Sequence, residues 1–138
     1  KSAKEITNYL NKQSGYIGVS GISSDSRDLV DAAEKGNHRA ALAIAVQAKR
    51  IADYIASYYV YMGGADAIVF TAGIGENAKT TRSDICNRLK ALGVKIDEER
   101  NNCRGVERLI SADDSKIKVY VIPTNEEVMI ARDTLALL

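Results

Sequence analysis

The sequence is poor in the residues that most often carry chemistry or crosslinks. It has one histidine, one proline, one phenylalanine and two cysteines in 138 residues. Cys86 and Cys103 are too few for a disulfide scaffold and lack the spacing of a metal cluster, so a reduced, cytoplasmic compartment is the expectation. Cys86 falls in a helical stretch and reads as packing. His38 stands at a helix start after Gly36-Asn37 and reads as a surface residue. An excess of one charge is also missing. The 19 basic and 18 acidic residues leave a net charge of +1, which gives no electrostatic footing for nucleic acid or an anionic membrane. No apolar run approaches the roughly 20 residues that span a bilayer. Repeats, low-complexity tracts and linkers are absent. What remains is a chain the size of one ordinary domain, with 46% hydrophobic residues to build a core. It starts at Lys1, with Ile6, Tyr9 and Leu10 already forming an apolar helical stripe. That is the pattern expected of a piece cut from a larger protein.

Periodicity predicts alternating helices and strands, hence a layered α/β domain. Residues 3–13 read as an amphipathic helix broken by Ser14-Gly15. Residues 16–24 read as a connection, and 26–35 as a short helix. Asn37 caps a long helix from about His38 to Tyr61, about 36 Å at ~1.5 Å per residue. Its expected inner stripe is Ala41, Ile44, Ala45, Ala48, Ile51, Ala52, Ile55, Tyr58 and Tyr59, and Gly63-Gly64 stop it. A strand over 67–71 leads into a glycine-rich turn. Thr81-Arg82-Ser83-Asp84 reads as a capping box for a helix with Ile85, Leu89 and Leu92 inward, ending at Gly93. Val94–Ile96, Leu109-Ile110 and Lys116–Ile122 are strand candidates, with 97–105 irregular between them. Pro123 closes the last strand. Thr124 then caps a final helix, with Glu127 completing a second capping box and Val128, Ala131 and Leu135 facing inward.

The most informative stretch is Asp66-Ala-Ile-Val-Phe-Thr71-Ala72-Gly73-Ile74-Gly75-Glu76-Asn77. A buried strand feeding a glycine turn and then a helix is how α/β proteins build anion and nucleotide sites. Glycines there admit close approach and positive φ, and a helix N-terminus offers free N–H groups. Residues 73–80 nearly spell a P-loop, but Ala78 replaces its second glycine, which counts against one. Gly73-x-Gly75-x-x-Ala78, followed by Asp97, also fits a dinucleotide fingerprint. The bland alternative is a tight turn with no ligand.

Thr71-Ala72-Gly73-Ile74-Gly75-Glu76-Asn77 resembles the nucleotide loop of the acetate kinase family. Two further stretches match that family in the same order: Ser20-Gly21-Ile22-Ser23-Ser24-Asp25-Ser26-Arg27-Asp28 and Ile122-Pro123-Thr124-Asn125-Glu126-Glu127. The resemblance runs from about Ile6 to the C-terminus. It implies part of an actin/hexokinase-like (ribonuclease H-like) ATPase lobe, with a layered sheet and packed helices. It also implies Mg²⁺-dependent phosphoryl transfer between ATP and acetate, by way of acetyl phosphate. Propionate and butyrate kinases are the near alternatives within the family.

By the same resemblance, Gly73, Ile74, Gly75, Glu76 and Asn77 belong to the nucleotide loop. Asp25, Ser26 and Arg27 form a second adenosine-contacting segment, and Glu126 is the magnesium-associated glutamate. The plain alternatives are that Asn77 and Asp25 are helix caps, Arg27 is solvated and Glu126 is a first-turn acid. The family often carries a bulky residue, commonly Phe, where this chain has Ser26, which implies a thinner wall to the adenine pocket. The family's substrate-site asparagine, arginine and aspartate have no match here. Neither do its phosphoryl-contacting histidine and second arginine, so no catalytic residue is assigned. The resemblance implies a single nucleotide-side domain over 1–138, the C-terminal third of the enzyme, whose last helix (124–138) docks on the N-terminal lobe. It further implies a homodimer, with the Ala- and Tyr-rich helix 38–61 near the interface. From other classes, an NAD-binding oxidoreductase domain and a non-enzymatic association module remain open on the residues alone.

Overall fold

The computed structural model describes all 138 residues. They divide into two compact units, Lys1–Tyr54 and Ile55–Leu138.

In the first unit, α1 (Ala3–Gln13) opens with a complete capping box between Ser2 and Glu5. None of its residues is buried, and Ile6, Tyr9 and Leu10 are exposed. Residues 16–24 are not the plain connection expected. Gly15, at φ +64°, resets the chain into a second helix, α2 (Gly15–Ser20), which Gly21 ends in the left-handed region. A six-residue helix holding glycines is too short to show a period. α3 (Ser26–Glu34) follows, capped by Asp25. Then comes α4 (His38–Tyr61), with the bounds expected. The Asn37 Oδ1 accepts from the N–H groups of Arg39 and Ala40, both at 3.0 Å. The core is Leu29 against Ala40 and Ala43, flanked by Tyr16, Val19, Ala32, Ala33 and Ile44. The residues α4 buries fully are all alanines, at 40, 43, 48 and 52. The expected stripe starts one residue late, because Ala41 is exposed and Ala40 is not, and it wrongly includes Tyr58, which is exposed.

The second unit holds the end of α4, then β1 (Ala67–Phe70), α5 (Ala72–Asn77), α6 (Lys79–Arg88), a 3₁₀ turn over Lys90–Leu92, α7 (Glu98–Asn101), β2 (Arg108–Leu109), β3 (Lys118–Val121) and α8 (Glu126–Leu135). β3 is central in a sheet of order β1-β3-β2. It runs parallel to β1, with Val69 opposite Tyr120, and antiparallel to β2, with Leu109 opposite Tyr120. Val119 and Val121 are fully buried while Lys118 and Tyr120 are half-buried, so one sheet face carries the core. Phe70, Ile85, Leu89, Val94, Ile110 and Ile117 complete it.

Several local expectations fail here. Val94–Ile96 forms only an isolated bridge, Ile96 to Ser111. The 97–105 segment contains α7, capped by Asp97. The capping box at Thr81 does not form, because α6 already begins at Lys79 and Thr81 is buried inside it. Asn125, not Thr124, caps α8, accepting from the Val128 N–H at 3.2 Å. Val128 and Leu135 are exposed rather than inward, as is Ala131, and α8 buries no residue in this chain. No helix is long and apolar enough to cross a membrane.

Candidate functional site

β1 ends at Phe70 and the chain turns at once through Thr71 into α5, so the glycine-rich stretch is itself a short helix rather than a loop before one. Neither Gly73 nor Gly75 has a positive φ. Ala72 does, at 57°, and it is the chain's only non-glycine residue there. For alanine that conformation costs about 1–2 kcal/mol, and such outliers gather at functional turns.

The two glycines do different jobs. A Cβ on Gly75 would lie 3.3 Å from the Phe70 carbonyl carbon, backbone that cannot swing aside. Its glycine lets α5 pack on the end of β1. A Cβ on Gly73 would meet nothing within 4 Å. No contact inside this chain calls for glycine at 73.

Arg82 holds the stretch from beneath. It is fully buried and is the bulkiest of the fully buried side chains. Its Nη1 donates to the carbonyls of Gly75 and Glu76, both at 2.9 Å. Its Nε donates to Asn101 Oδ1 at 2.8 Å, and its Nη2 to the carbonyls of Asn101 (2.8 Å) and Cys103 (3.0 Å). Thus all five guanidinium N–H donors have partners. The Gly75 and Glu76 carbonyls belong to the last turn of α5, where helix carbonyls lack intrahelical partners, so Arg82 also closes that helix. Burial pulls the arginine below its usual range, yet it stays protonated at neutral pH.

Asn77 is not the helix N-cap of its plain reading. It ends α5, donating from Nδ2 to the Gly73 carbonyl at 2.8 Å and accepting at Oδ1 from Arg104 Nε at 3.0 Å. Glu76 reaches across 48 residues. Its Oε1 accepts from the Thr124 N–H at 2.8 Å and from the Thr124 hydroxyl at 3.0 Å. These bonds, the backbone one foremost, hold its carboxyl below the usual range. They also explain why Thr124 does not cap α8. The Glu76 latch brings together the glycine stretch and the Thr124-Asn125-Glu126 motif. Glu126, the first residue of α8, is exposed, and its carboxylate takes part in none of the chain's ion pairs. No three His, Cys, Asp or Glu side chains converge on one point. Magnesium commonly takes one or two carboxylates and completes its shell with water and phosphate oxygens, and a single free carboxylate fits that mode.

Asp25, Ser26 and Arg27 lie in the first unit. Asp25 Oδ1 accepts from the Arg27 N–H at 2.8 Å, and its Oδ2 pairs with Arg27 Nη2 at 2.6 Å. The Arg27 side chain bond, then its backbone N–H, lowers the Asp25 carboxyl to about 2. The plain cap reading of Asp25 therefore holds. Arg27 is exposed, but paired rather than merely solvated.

Other singled-out residues are accounted for. Asp97 accepts from the N–H groups of Glu99 and Arg100 and pairs with Arg100 Nε at 3.3 Å, so its carboxylate is engaged in capping. Burial pushes the Cys86 thiol up to about 12, in keeping with packing. A depression of about 540 Å³ is lined by Lys79, Thr80, Ser83, Glu98, Glu99 and Asn102, none of them among the expected site residues. Arg82, Asn101 and Arg104 escaped sequence reasoning. The bonds of Arg82 and the Arg104–Asn77 bond reach partners 6 to 27 residues away, and no local pattern announces such bonds.

A profile of the Acetokinase family matches residues 1–132. An acetate kinase of Acholeplasma laidlawii is 63% identical over 136 residues, covering 99% of this chain and 34% of the relative. Among solved structures, Porphyromonas gingivalis acetate kinase superposes with a TM-score of 0.91 at 45% identity, over 99% of this chain and 34% of that one. A propionate kinase from Francisella tularensis gives 0.86, also at 45%, over 95% and 33%. The chain thus spans about a third of the length of the curated relatives it matches. Its fold is the α/β one the resemblance implied, part of an actin/hexokinase-like ATPase lobe. With the profile reaching from residue 1 to residue 132, the chain belongs to the acetokinase family.

Proposed function

We propose that this chain supplies the nucleotide-binding part of an acetate kinase. That enzyme would exchange a phosphoryl group between ATP and acetate, with acetyl phosphate and ADP as the other pair. The observation that carries the reading is the Glu76–Thr124 latch. It joins two of the three stretches that resemble the family's nucleotide site, and it leaves Glu126 free at their junction. The open space at Gly73 supports the same reading. Close approach of a ligand is one reason for a glycine that no contact within the chain explains.

In phosphoryl transfer the protein's work is mostly positioning and charge stabilisation. Gly73 would admit the nucleotide to the backbone, and Asn77 would hold the stretch in shape through Gly73 and Arg104. Asp25 and Arg27 would meet the adenosine part, exchanging their mutual pairing for ribose and base contacts. Glu126 would take Mg²⁺, which when bound neutralises phosphate charge. Residues for the transferred phosphoryl and for acetate are not among those matched, so the chain alone should not turn over. The Francisella tularensis relative keeps propionate kinase as the second reading. The engaged Asp97 disfavours NAD. The free cysteines accord with a cytoplasmic enzyme. We further assign it to a homodimer through α4, where Tyr58, Tyr61 and Val60 are exposed.

Titration calorimetry of the chain with ADP, ATP and NAD tests this. ADP and ATP should bind and NAD should not. Gly73→Val should abolish ADP binding while the melting temperature holds, whereas binding of NAD alone would sink the reading.

A further inference from the structure

Arg82 is a buried cation without a counter-ion. None of the chain's ion pairs includes it. The Glu98 carboxylate reaches Asn101 Nδ2, at 3.3 Å, rather than the guanidinium. Uncompensated burial of a charge is ordinarily prohibitive. Here five charge-assisted bonds offset it, four of them to backbone carbonyls. Neutral carbonyls solvate the ion but leave its net charge in place. Two of them belong to Gly75 and Glu76, so one full positive charge lies directly beneath the glycine stretch. A carboxylate in place of Asn101 would have satisfied the same Nε and cancelled the charge, but the chain carries an amide there.

We propose that Arg82 is a positioning residue for the nucleotide's phosphates, setting the shape of residues 73–77 by its fork and favouring anions there by its uncancelled charge. This rests on the nucleotide reading above. The competing possibility is a purely structural arginine that closes α5. The two differ in one respect: a field acts on phosphates and not on adenosine, whereas a distorted site loses both.

The test leaves Arg82 in place. Cys103 Sγ lies 3.8 Å from Arg82 Nη2 and is half-buried, so Cys103→Asp sets a carboxylate beside the guanidinium and Cys103→Asn is its neutral match. Calorimetry on the full chain at low salt, with ADP and with adenosine, gives the readout. Placing a counter-charge should weaken ADP by roughly tenfold in the Asp variant relative to the Asn variant, the scale of one charge at about 10 Å in a protein-like dielectric. Adenosine should agree within about twofold, and the ADP gap should narrow as salt rises. Equal ADP affinities in the two variants would overturn the inference. So would parallel losses of ADP and adenosine, which mark a structural role. Should Cys103→Asp fail to fold, Arg82→Lys against Arg82→Met gives the same split, since lysine keeps the charge. A wild-type chain that binds neither compound would overturn the nucleotide reading itself and this inference with it.

Discussion

Two of the three segments that resemble a nucleotide site are held in opposite ways. Residues 73–77 are bonded to distant parts of the second unit: Arg82 and Arg104 beside them, and Thr124 in the last motif. Asp25–Arg27 is held by itself. Its strongest bonds join residues two apart, and the Arg27 side chain is 87% exposed. One segment is set before any ligand arrives, while the other can open its pair and re-form it on a partner. Preorganisation suits charge stabilisation, where reorganisation at the moment of reaction is costly. An exposed ion pair is cheap to break, because surface pairs contribute little.

The sharpest way to break this contrast is to remove the buried support. Arg82→Met leaves four carbonyls and the Asn101 amide oxygen without their donor inside the second unit. The expected loss is about 3–5 kcal/mol of unfolding free energy, read by urea denaturation with circular dichroism. A loss below about 1 kcal/mol would mean that residues 73–77 hold their shape without Arg82. Arg27→Ala in the other segment should barely move the same curve.

Within the glycine stretch, the two glycines should separate. Gly75→Ala drives a methyl against Phe70 backbone and should cost about 1–3 kcal/mol. Gly73→Ala meets open space and should leave stability unchanged or slightly raised, since alanine is the better helix former, while weakening ADP. Equal stability effects at both positions would erase the distinction between a packing glycine and a ligand glycine. Ala72→Gly should move the other way. Relief of the left-handed alanine, less the added flexibility of glycine, should stabilise by about 0.5–1 kcal/mol, a small upward shift in melting temperature.

How much of this was legible follows from the range of the forces. α4 could be read to the residue because its signals are local: an Asn37 cap, 24 residues of period, and Gly63-Gly64 at its end. The order and type of the main strands and helices followed from patterning. The caps of α6 and α8 were misread for a single reason. A hydroxyl or amide near a helix start can cap it or serve a distant partner. Thr124 serves Glu76, 48 residues earlier, so the cap passes to Asn125. α8 shows the same limit in its apolar face, because a stripe says that a surface wants covering but not what covers it. For the candidate site, motif matching proposed the glycine stretch and Glu126, and the plain reading of Asp25 as a cap held. It could not find Arg82. A buried arginine bonded to carbonyls looks in sequence like any surface arginine on a helix.

The smallest expected effect probes the self-held segment directly. Asp25 titrates near 2 because the Arg27 guanidinium and N–H bond its carboxylate. A depressed acid contributes stability that is present above the unfolded-state value, about 3.9, and is lost as pH falls toward 2. The carboxylate is exposed, so this contribution should be slight and the informative readout is the titration itself. By NMR, the Asp25 side chain carboxyl should show a midpoint near 2 in the free chain. Arg27→Ala removes the larger cause but leaves the backbone N–H, so the midpoint should rise part of the way toward 3.9. Saturating ADP should also raise it in the wild type if Arg27 leaves Asp25 for the nucleotide. A midpoint indifferent to ADP, with ADP demonstrably bound, would show that the pair stays closed. Asp25–Arg27 would then be as fixed as the stretch over Arg82, and the contrast between the two segments would fail.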